Sequence, residues 1–351
     1  MAVSLWESPV IMGVAKRVHP KVDFFSKYFS RSPSEYHYSD LIVLDEEEES
    51  LLITPYAHPD AEAPTVRNVG YKSRVFEPAC IKDKGKLTAR DGLIRLAGEP
   101  VGNLKQAPDR LKKRYMQLID NAMARYYLRL EVMASQIVKD AKLNVSPDPE
   151  LNAAAYEINF ERHQDLTPVL TQKEFWSNPK APAGEHLESW AAAILKHSGG
   201  QVDSVICGSS AYAWLTKNEI FKDLYKLNEG YTSNLLIDPK KPVEGVSYMG
   251  KFGRFDIYQH AAQYKDPADG KLKNIVAPNE VVLISNALKG NKHFAIIRDL
   301  ESGVVPMDYF MKSWDKQEPS ARFIKLESHP LLLLRGSQAV NGAMSVKVGA
   351  A

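Results

Sequence analysis

Cysteine is scarce in this chain, whose 351 residues contain only Cys80 and Cys207. Two cysteines cannot build a disulfide framework or a multi-cysteine metal centre, and such scarcity is typical of proteins made in a reducing compartment.

Long apolar runs are also missing: Leu331–Leu334 is four residues long, whereas a membrane-spanning helix needs about 18 or more. No basic residue precedes Lys16, so the N-terminus lacks the charged start of a signal peptide. We therefore expect a soluble protein with no membrane partner.

Signatures of catalysis and ligand binding are absent as well. Cys207-Gly208-Ser209-Ser210 follows a predicted strand but is not the Gly-x-Ser-x-Gly turn of a hydrolase, and a buried cysteine ending a strand is the simpler interpretation. The nine histidines form no zinc-protease motif. Gly245–Gly253 lacks the pattern of a phosphate-binding loop and is interpreted as a hairpin turn. The sequence predicts no enzyme, no metal site and no cofactor.

Charge is unevenly distributed along the chain, although the net charge is only +2. Residues 40–63 carry eight acids and no Lys or Arg, and residues 64–143 carry seventeen Lys and Arg against eight acids. This arrangement suits subunits that complement one another, or a basic surface facing an anionic partner. The alternative is that both segments are solvated faces.

One very long helix is predicted between Pro108 and Leu143. Apolar or small residues recur there at intervals of three or four, at Leu111, Tyr115, Ile119, Ala122, Tyr126, Leu130, Met133, Ile137 and Ala141. This spacing forms one continuous helical face. At 1.5 Å per residue the helix would be roughly 54 Å long, far longer than the average helix.

The segments before this helix look extended or irregular. Residues 1–39 are rich in aromatics, with one short helix predicted at 21–29, and such an arm is expected to bury its aromatics on another subunit. The runs 41–44 and 51–54 predict a hairpin with the acids at 45–49 in its connection. Residues 64–107 predict a long two-stranded loop, and loops of this length are usually functional or braced by a partner.

After the helix, strands and helices alternate. A second helix is predicted at Gly184–His197 and closed by Gly199. Short β-rich runs are predicted to be strands at Ala155–Phe160, Val202–Cys207, Phe255–Tyr258, Glu280–Ile284, His293–Ile297, Phe323–Leu326, Leu331–Leu334 and Met344–Val348. Residues 181–311 therefore resemble a lobe built on one sheet.

Four segments, taken in their order and spacing, carry a resemblance to a known family. They are Phe76–Lys82 (Phe-Glu-Pro-Ala-Cys-Ile-Lys), Asp109–Arg114, Tyr248–Gly253 and Ser328–Leu333. With them the chain resembles the tailed-bacteriophage major capsid proteins of the lambda-type capsid protein E family. The resemblance covers nearly the whole chain and implies the α+β HK97-like fold, which has an N-terminal arm, an extended E-loop, a long spine helix, a peripheral domain and an axial domain.

The resemblance also implies a division of the chain. The N-terminal arm would be 1–39, peripheral-domain strands 40–63, the E-loop 64–104, the spine helix 105–145, further peripheral domain 146–180, the axial domain 181–311 and C-terminal peripheral strands 312–351. The implied function is that of a major capsid protein, whose hexamers and pentamers form the icosahedral head around double-stranded DNA. A separate scaffold is expected, because residues 1–39 are too short for a fused one, together with a portal and a decoration protein at capsomer junctions. The expected location is the virion capsid, after assembly in the cytoplasm of a bacterial host.

Two groups of residues are candidate sites within this interpretation. Contacts between subunits are expected at Glu46, Glu47, Glu48, Glu49, Arg67, Lys72, Arg74, Phe76, Ile81 and Lys82. Apolar loop residues are expected to be buried on the adjacent subunit, namely Val75, Phe76, Ile81, Leu87, Leu93 and Ile94. Cations opening a helix oppose its dipole, so an anion is expected at Arg110, Lys112, Lys113 and Arg114. Packaged DNA and carboxylates of a neighbour are both open as that anion, and the alternative is a solvated basic turn with no partner.

Three alternatives stay open. An encapsulin-like nanocompartment would share the fold but enclose an enzyme cargo instead of DNA. A monomeric soluble enzyme with an unrecognised site belongs to a different class. A nucleic-acid-binding regulator fits least well, because the net charge is near neutral and recognition motifs are missing.

Overall fold

The computed structural model describes residues 7–32, 35–47, 53, 56, 71–95, 97, 99, 107–145, 155–219, 243–267 and 269–350. Its helices are α1 Ser8–Ala15, α2 Ala107–Asp140, α3 Ala183–Ser198, α4 Ser209–Lys217 and α5 Gly336–Val340. Its strands are β1 Phe29–Ser30, β2 Ile42–Glu47, β3 Tyr71–Phe76, β4 Ile81–Thr88, β5 Lys142–Val145, β6 Tyr156–Asn159, β7 Val202–Cys207, β8 Val246–Phe252, β9 Phe255–His260, β10 Gln263–Lys265, β11 Leu272–Asn274, β12 Glu280–Ser285, β13 Gly290–Phe294, β14 Phe310–Lys316, β15 Ala321–Ser328, β16 Pro330–Leu334 and β17 Ala343–Lys347.

The predicted long helix is confirmed as α2, which has 34 residues and is roughly 51 Å long at 1.5 Å per residue. Every residue of its predicted apolar face is buried except Leu111, which is half-buried. The helix ends at Asp140, earlier than predicted, because Ala141 adopts a left-handed conformation with φ 50°. The chain then enters β5, which pairs with β6.

A three-stranded antiparallel sheet in the order β14-β15-β4 packs on α2. Met311, Ile324 and Leu326 are buried on the helix side of this sheet. Helix and sheet approach closely at Gly85, where an added Cβ would lie 3.5 Å from the Leu118 side chain. The prediction that residues 64–107 form a self-paired loop is therefore wrong, since β4 pairs with β15 from the far end of the chain.

The strands β2 and β3 form a separate two-stranded ribbon. The predicted hairpin between 41–44 and 51–54 is wrong, because β2 pairs with 71–76 instead. The acids Asp45, Glu46 and Glu47 belong to the strand and not to its connection. Of residues 51–54, only Ile53 is described, and it is exposed.

A five-stranded sheet in the order β17-β12-β7-β9-β8 forms the second layer of the molecule. Both of its faces are buried: Val281 and Leu283 of β12 pack towards α3 and α4, whereas Val282 and Ile284 belong to the core that contains α2. A continuous apolar strand is typical of such double burial. The predicted strands at 202–207 and 280–284 are confirmed, as is the left-handed Gly199 that ends α3. The last strand differs from its expected place, because β17 joins this sheet and not the β14-β15-β4 sheet.

The N-terminal segment is packed against its own chain. Sequence analysis missed α1, which begins with Pro9 in its first turn, a favoured position for proline. The helix predicted at 21–29 is reduced to a single 3₁₀ turn at Ser26–Tyr28. Phe24, Phe25 and Phe29 are buried in the chain's own core, so the expectation that they need another subunit is wrong.

Candidate assembly surfaces

The β2–β3 ribbon exposes an apolar pair. Val43 lies opposite Val75 in the antiparallel register, and the two are 52% and 59% exposed. The next pair along, Ile42 and Phe76, faces the other way, with Ile42 fully buried and Phe76 half-buried against the core. Successive strand residues alternate between faces, so one face of the ribbon is anchored and the other is open to a partner.

The predicted contact residues of this region are only partly placed by the structure. The backbone register sets Glu46 opposite Lys72 and continues to Glu47, whereas Glu48, Glu49 and Arg67 lie outside the described residues. Arg74 forms an ion pair with Glu161 at 3.1 Å within the chain. Ile81 is half-buried. Among the apolar loop residues, Leu87 is buried in its own chain, while Val75, Leu93 and Ile94 remain exposed.

A row of lysines covers the face of the β14-β15-β4 sheet that points away from α2. In this antiparallel sheet, residues in register point to the same side, and the register aligns Lys84 with Lys325 and Lys312. We call this surface the lysine face, and it consists of Lys82, Lys84, Lys86, Lys312, Lys316 and Lys325. Sequence analysis named only Lys82, although the alternation of lysines at 82, 84 and 86 was a visible strand signal.

Part of the lysine face is neutralised within the chain. The Asp299 carboxylate lies 2.7 Å from Lys312 Nζ and 3.1 Å from Lys325 Nζ. The Glu327 carboxylate lies 3.3 Å from Lys82 Nζ. Burial raises the pKa of Asp299, but the hydrogen bonds from the two lysines outweigh burial, so its pKa lies below the ordinary value. These pairs fix one end of the face.

The rest of the lysine face keeps its charge. The ammonium of Lys84 lies 4.4 Å from the ring centre of Phe323 and 5.5 Å from that of Trp314. A cation–π contact holds a lysine without cancelling its charge. Among the residues that the structure describes, no carboxylate lies within ion-pair distance of Lys84, Lys86 or Lys316. This end of the sheet therefore presents uncompensated positive charge to solvent.

The basic start of α2 is less available than its sequence indicates. Arg110 is only 5% exposed, and its Nε lies 3.1 Å from Glu99 Oε2. The prediction that Arg110 faces DNA or a neighbour is therefore wrong, because Glu99 and the carbonyl of Gly92, at the end of the 3₁₀ turn Ala89–Gly92, hold its guanidinium within the chain. Arg114 is half-buried, and only Lys112 and Lys113 are exposed.

A buried carboxylate fastens the N-terminal segment to the middle of α2. The main-chain N–H groups of Phe25 and Ser26 donate to Glu131 Oε1 and Oε2 at 2.7 and 2.9 Å. Burial raises the pKa of Glu131, while these hydrogen bonds oppose the rise. Sequence analysis missed this contact, although a glutamate between Leu130 and Val132 on a helix that is apolar at this point was a signal.

The structure gives no support to a nucleophile at Cys207. The residue is fully buried at the end of β7, and burial raises the pKa of its thiol to about 12. The interpretation as a buried cysteine ending a strand is confirmed. Within the described part of the chain, no helix is both long enough and apolar enough to cross a bilayer.

Comparisons with known proteins agree with this architecture. The phage major capsid protein E family matches residues 11–341. No curated protein matches the chain. A protein assigned as the capsid protein of an E. coli CFT073 prophage has a similar structure, with TM-score 0.72 and 17% identity over 98% of this chain and 99% of the other.

Two further solved structures are similar in fold. The capsid of Ralstonia phage GP4 aligns with TM-score 0.56 and 10% identity over 100% of this chain and 96% of that one. A phage-related protein of Bordetella bronchiseptica RB50 aligns with TM-score 0.54 and 13% identity over 97% of both chains. At such low identity these structures establish the fold, and they confirm the expected α+β HK97-like fold.

The family match covers nearly the whole chain, and proteins of this family are structural proteins and not enzymes. The chain therefore belongs to the phage major capsid protein E family, whose members form the shell of the phage head.

Proposed function

We propose that this chain assembles into hexamers and pentamers that form an icosahedral head around double-stranded DNA. The observation that carries the proposal is the β2–β3 ribbon, which holds Val43 and Val75 exposed on the face opposite its anchored side. Burial of this apolar pair against a second copy of the subunit would remove it from water, which is energetically favourable.

Charge complementarity indicates how neighbouring subunits meet. The acids at 45–49 begin within β2, and on the lysine face Lys84, Lys86 and Lys316 have no carboxylate partner among the described residues. We infer that the acidic segment of one subunit lies against the lysine face of the next. Complementary charges favour the correct partner and register more than they raise affinity.

The domain assignment in this proposal follows the observed pairing. The extended loop includes the β2–β3 ribbon. The peripheral domain contains α2 and the β14-β15-β4 sheet, and the axial domain contains the five-stranded sheet with α3 and α4. Residues 7–39 form the arm, which Glu131 fastens to α2.

The remaining partners are also part of the proposal. Lys112 and Lys113 are the exposed cations of the helix start, and they would contact packaged DNA without base specificity, as lysine–phosphate contacts do. A separate scaffold, a portal and a decoration protein at capsomer junctions complete the particle. Synthesis and assembly would take place in the cytoplasm of a bacterial host before the shell becomes part of the virion.

Electron microscopy of the expressed protein tests the proposal, both alone and together with the products of its genomic neighbours. We expect closed shells, with nuclease-protected DNA in particles made during infection. Shells that contain protein cargo and no nucleic acid would show a nanocompartment instead. A species of about 39 kDa under every condition, measured by light scattering after size exclusion, would contradict assembly altogether.

A further inference from the structure

Three side chains that could bind a metal ion converge beside the base of the ribbon. Cys80 Sγ lies 3.3 Å from His329 Nε2, and that nitrogen lies 3.3 Å from Glu327 Oε1. All three donor atoms lie within 4.8 Å of one another. Tetrahedral zinc bound at its usual distances of about 2.0–2.3 Å separates nitrogen, oxygen and sulfur ligands by roughly 3.3–3.6 Å. The observed separations therefore lie close to those of a three-ligand zinc site.

The ligand set is held by its surroundings. The His329 side chain is only 12% exposed and forms a hydrogen bond with the main chain at Ile296. Such a bond commonly orients a metal-binding histidine. Glu327 is almost fully buried, and Lys325 is paired with its Oε2, which leaves Oε1 towards the histidine. Two of the three ligands are thus oriented without a metal.

The contact between His329 and Glu327 needs a positive charge or a proton. The lone pair of a neutral imidazole nitrogen and a carboxylate oxygen repel each other at this distance unless a proton or a cation lies between them. A divalent cation would satisfy both acceptors at once and would displace the proton of the Cys80 thiol.

Nearby lysines compete with a metal ion for the Glu327 carboxylate but do not block the site. Lys82 Nζ is paired with Glu327 Oε1 at 3.3 Å, and because the Lys82 side chain is 57% exposed, a bound cation would displace it into solvent. Cys80 itself is exposed, which leaves the fourth position of a tetrahedral ion accessible.

We propose that Cys80, Glu327 and His329 bind one divalent cation of the zinc class, with its fourth position open to water or to a donor from another molecule. The inference concerns the single subunit and does not depend on shell assembly. Sequence analysis could not find the site, since Cys80 and His329 lie 249 positions apart and form no spacing motif.

The bound ion would tie the ribbon to the C-terminal strands. One contact already exists there, because the N–H of Ala79 donates to the carbonyl of Pro330 at 3.2 Å. A metal that binds the folded chain but not the unfolded chain stabilises the fold by mass action. It would also fix the direction in which the ribbon leaves the body of the subunit.

The test uses the full-length chain, freed of metal with a chelator and then titrated with Co²⁺ and Zn²⁺. We expect one equivalent of Co²⁺ to give a thiolate-to-metal charge-transfer band, which Zn²⁺ removes by competition. Cys80→Ser should abolish the band, and His329→Gln should weaken binding at least about tenfold. The matched control is Cys207→Ala, at the buried second cysteine, which should leave the band unchanged.

A second measurement needs no variant. Cys207 is buried and Cys80 is exposed, so a thiol reagent applied to the native chain reports on Cys80, and Zn²⁺ should slow its reaction at least tenfold. An unchanged reaction rate at saturating Zn²⁺ would overturn the proposal. A charge-transfer band that persists in Cys80→Ser would overturn it as well.

Discussion

Glu131 connects two parts of the chain that are 105 residues apart, because its carboxylate accepts the main-chain N–H groups of Phe25 and Ser26. Glu131→Ala leaves both N–H groups buried without an acceptor, and each such loss costs about 1–3 kcal/mol. We expect the free energy of unfolding to fall by about 2–6 kcal/mol, measured by denaturant titration. Glu131→Gln, which keeps one acceptor oxygen, should lose less.

The matched control for this change is Glu157→Ala. Glu157 forms an ion pair with Lys142 in which both side chains are more than 40% exposed, and such surface pairs contribute about 0–1 kcal/mol. If the two alanine variants were equally stable, the buried carboxylate would not be the fastening described above.

His260 makes stability depend on pH. Its ring packs against Phe24 and Phe25, and neither ring nitrogen has a hydrogen-bond partner among the described residues. Burial, reinforced by Lys139, lowers its pKa to about 4. The unfolded chain takes up this proton near pH 6.5 and the folded chain does not, so stability is complete above that pH and declines as the pH falls towards 4.

The loss of stability caused by His260 is on the order of 3 kcal/mol below pH 4, from a pKa difference of about two and a half units, and about 2 kcal/mol of it falls between pH 7 and pH 5. In His260→Leu this part of the acid dependence should disappear. Denaturant unfolding at pH 7 and pH 5 measures it, and the comparison with wild type removes the contribution of His293, whose pKa is also lowered to about 4. Equal acid dependence in the two proteins would contradict the assignment.

Single residues show where sequence reasoning stops. A basic residue at the start of a helix favours an exposed position, and this holds for Lys112 and Lys113. It fails for Arg110, because Glu99 and the main chain at Gly92 close over the guanidinium. Contacts of this kind depend on how a non-helical segment folds back, which no periodicity encodes.

At the scale of elements, the ribbon offers the sharpest test of assembly. Val43→Asp combined with Val75→Asp places charge on its exposed apolar pair, and we expect assembled particles to be lost while the monomer unfolds at an unchanged temperature. Light scattering after size exclusion measures the first, and a thermal melt the second. Burying two unpaired carboxylates at an interface is strongly unfavourable.

Val169→Asp is the matched control, since Val169 is 91% exposed and lies outside the ribbon. It should assemble like wild type. Normal particle yield from the double ribbon variant would remove the ribbon from the interface.

Elements differ in how well the sequence predicts them. Helix α2 was predictable because its period of 3.6 residues persists over nine turns and needs only local information. The strands of the ribbon were predictable as strands but not as partners, since pairing 42–47 with 71–76 depends on distant contacts. The same limit applies to β17, whose apolar alternation reveals a strand but not the sheet that it joins.

For the whole molecule, the central prediction concerns charge between subunits. Reversing the acids Glu46, Glu47, Glu48 and Glu49 to lysine should impair assembly and leave the monomer folded. Reversing Lys84, Lys86 and Lys316 to glutamate should do the same. Combining both sets should restore particle yield at least in part, as counted by electron microscopy.

The variant that combines both sets of reversals distinguishes lost charge complementarity between subunits from general damage to the subunit. Raised salt should weaken wild-type assembly in the same experiment, because exposed charge pairs are screened. If each single set assembled normally, the inferred contact between the acidic segment and the lysine face would be wrong.

The overall fold and the family could be predicted from the order of segments in the sequence, whereas the assembly surfaces could not. The lysine face requires β4 and β15 to lie in register, with Asp83 opposite Leu326. Its residues come from three strands, two of which lie more than two hundred positions beyond the first. Only the folded sheet collects them on one side.

The same pairing has a consequence for timing. During synthesis, β4 emerges more than two hundred residues before β15, the central strand of its sheet. Before β15 is made, β4 has no partner strand, and its lysines cannot form part of the lysine face. Sheets whose strands lie far apart in sequence also form slowly. In the proposed assembly, a subunit can present the lysine face to a neighbour only after β15 has emerged and paired with β4.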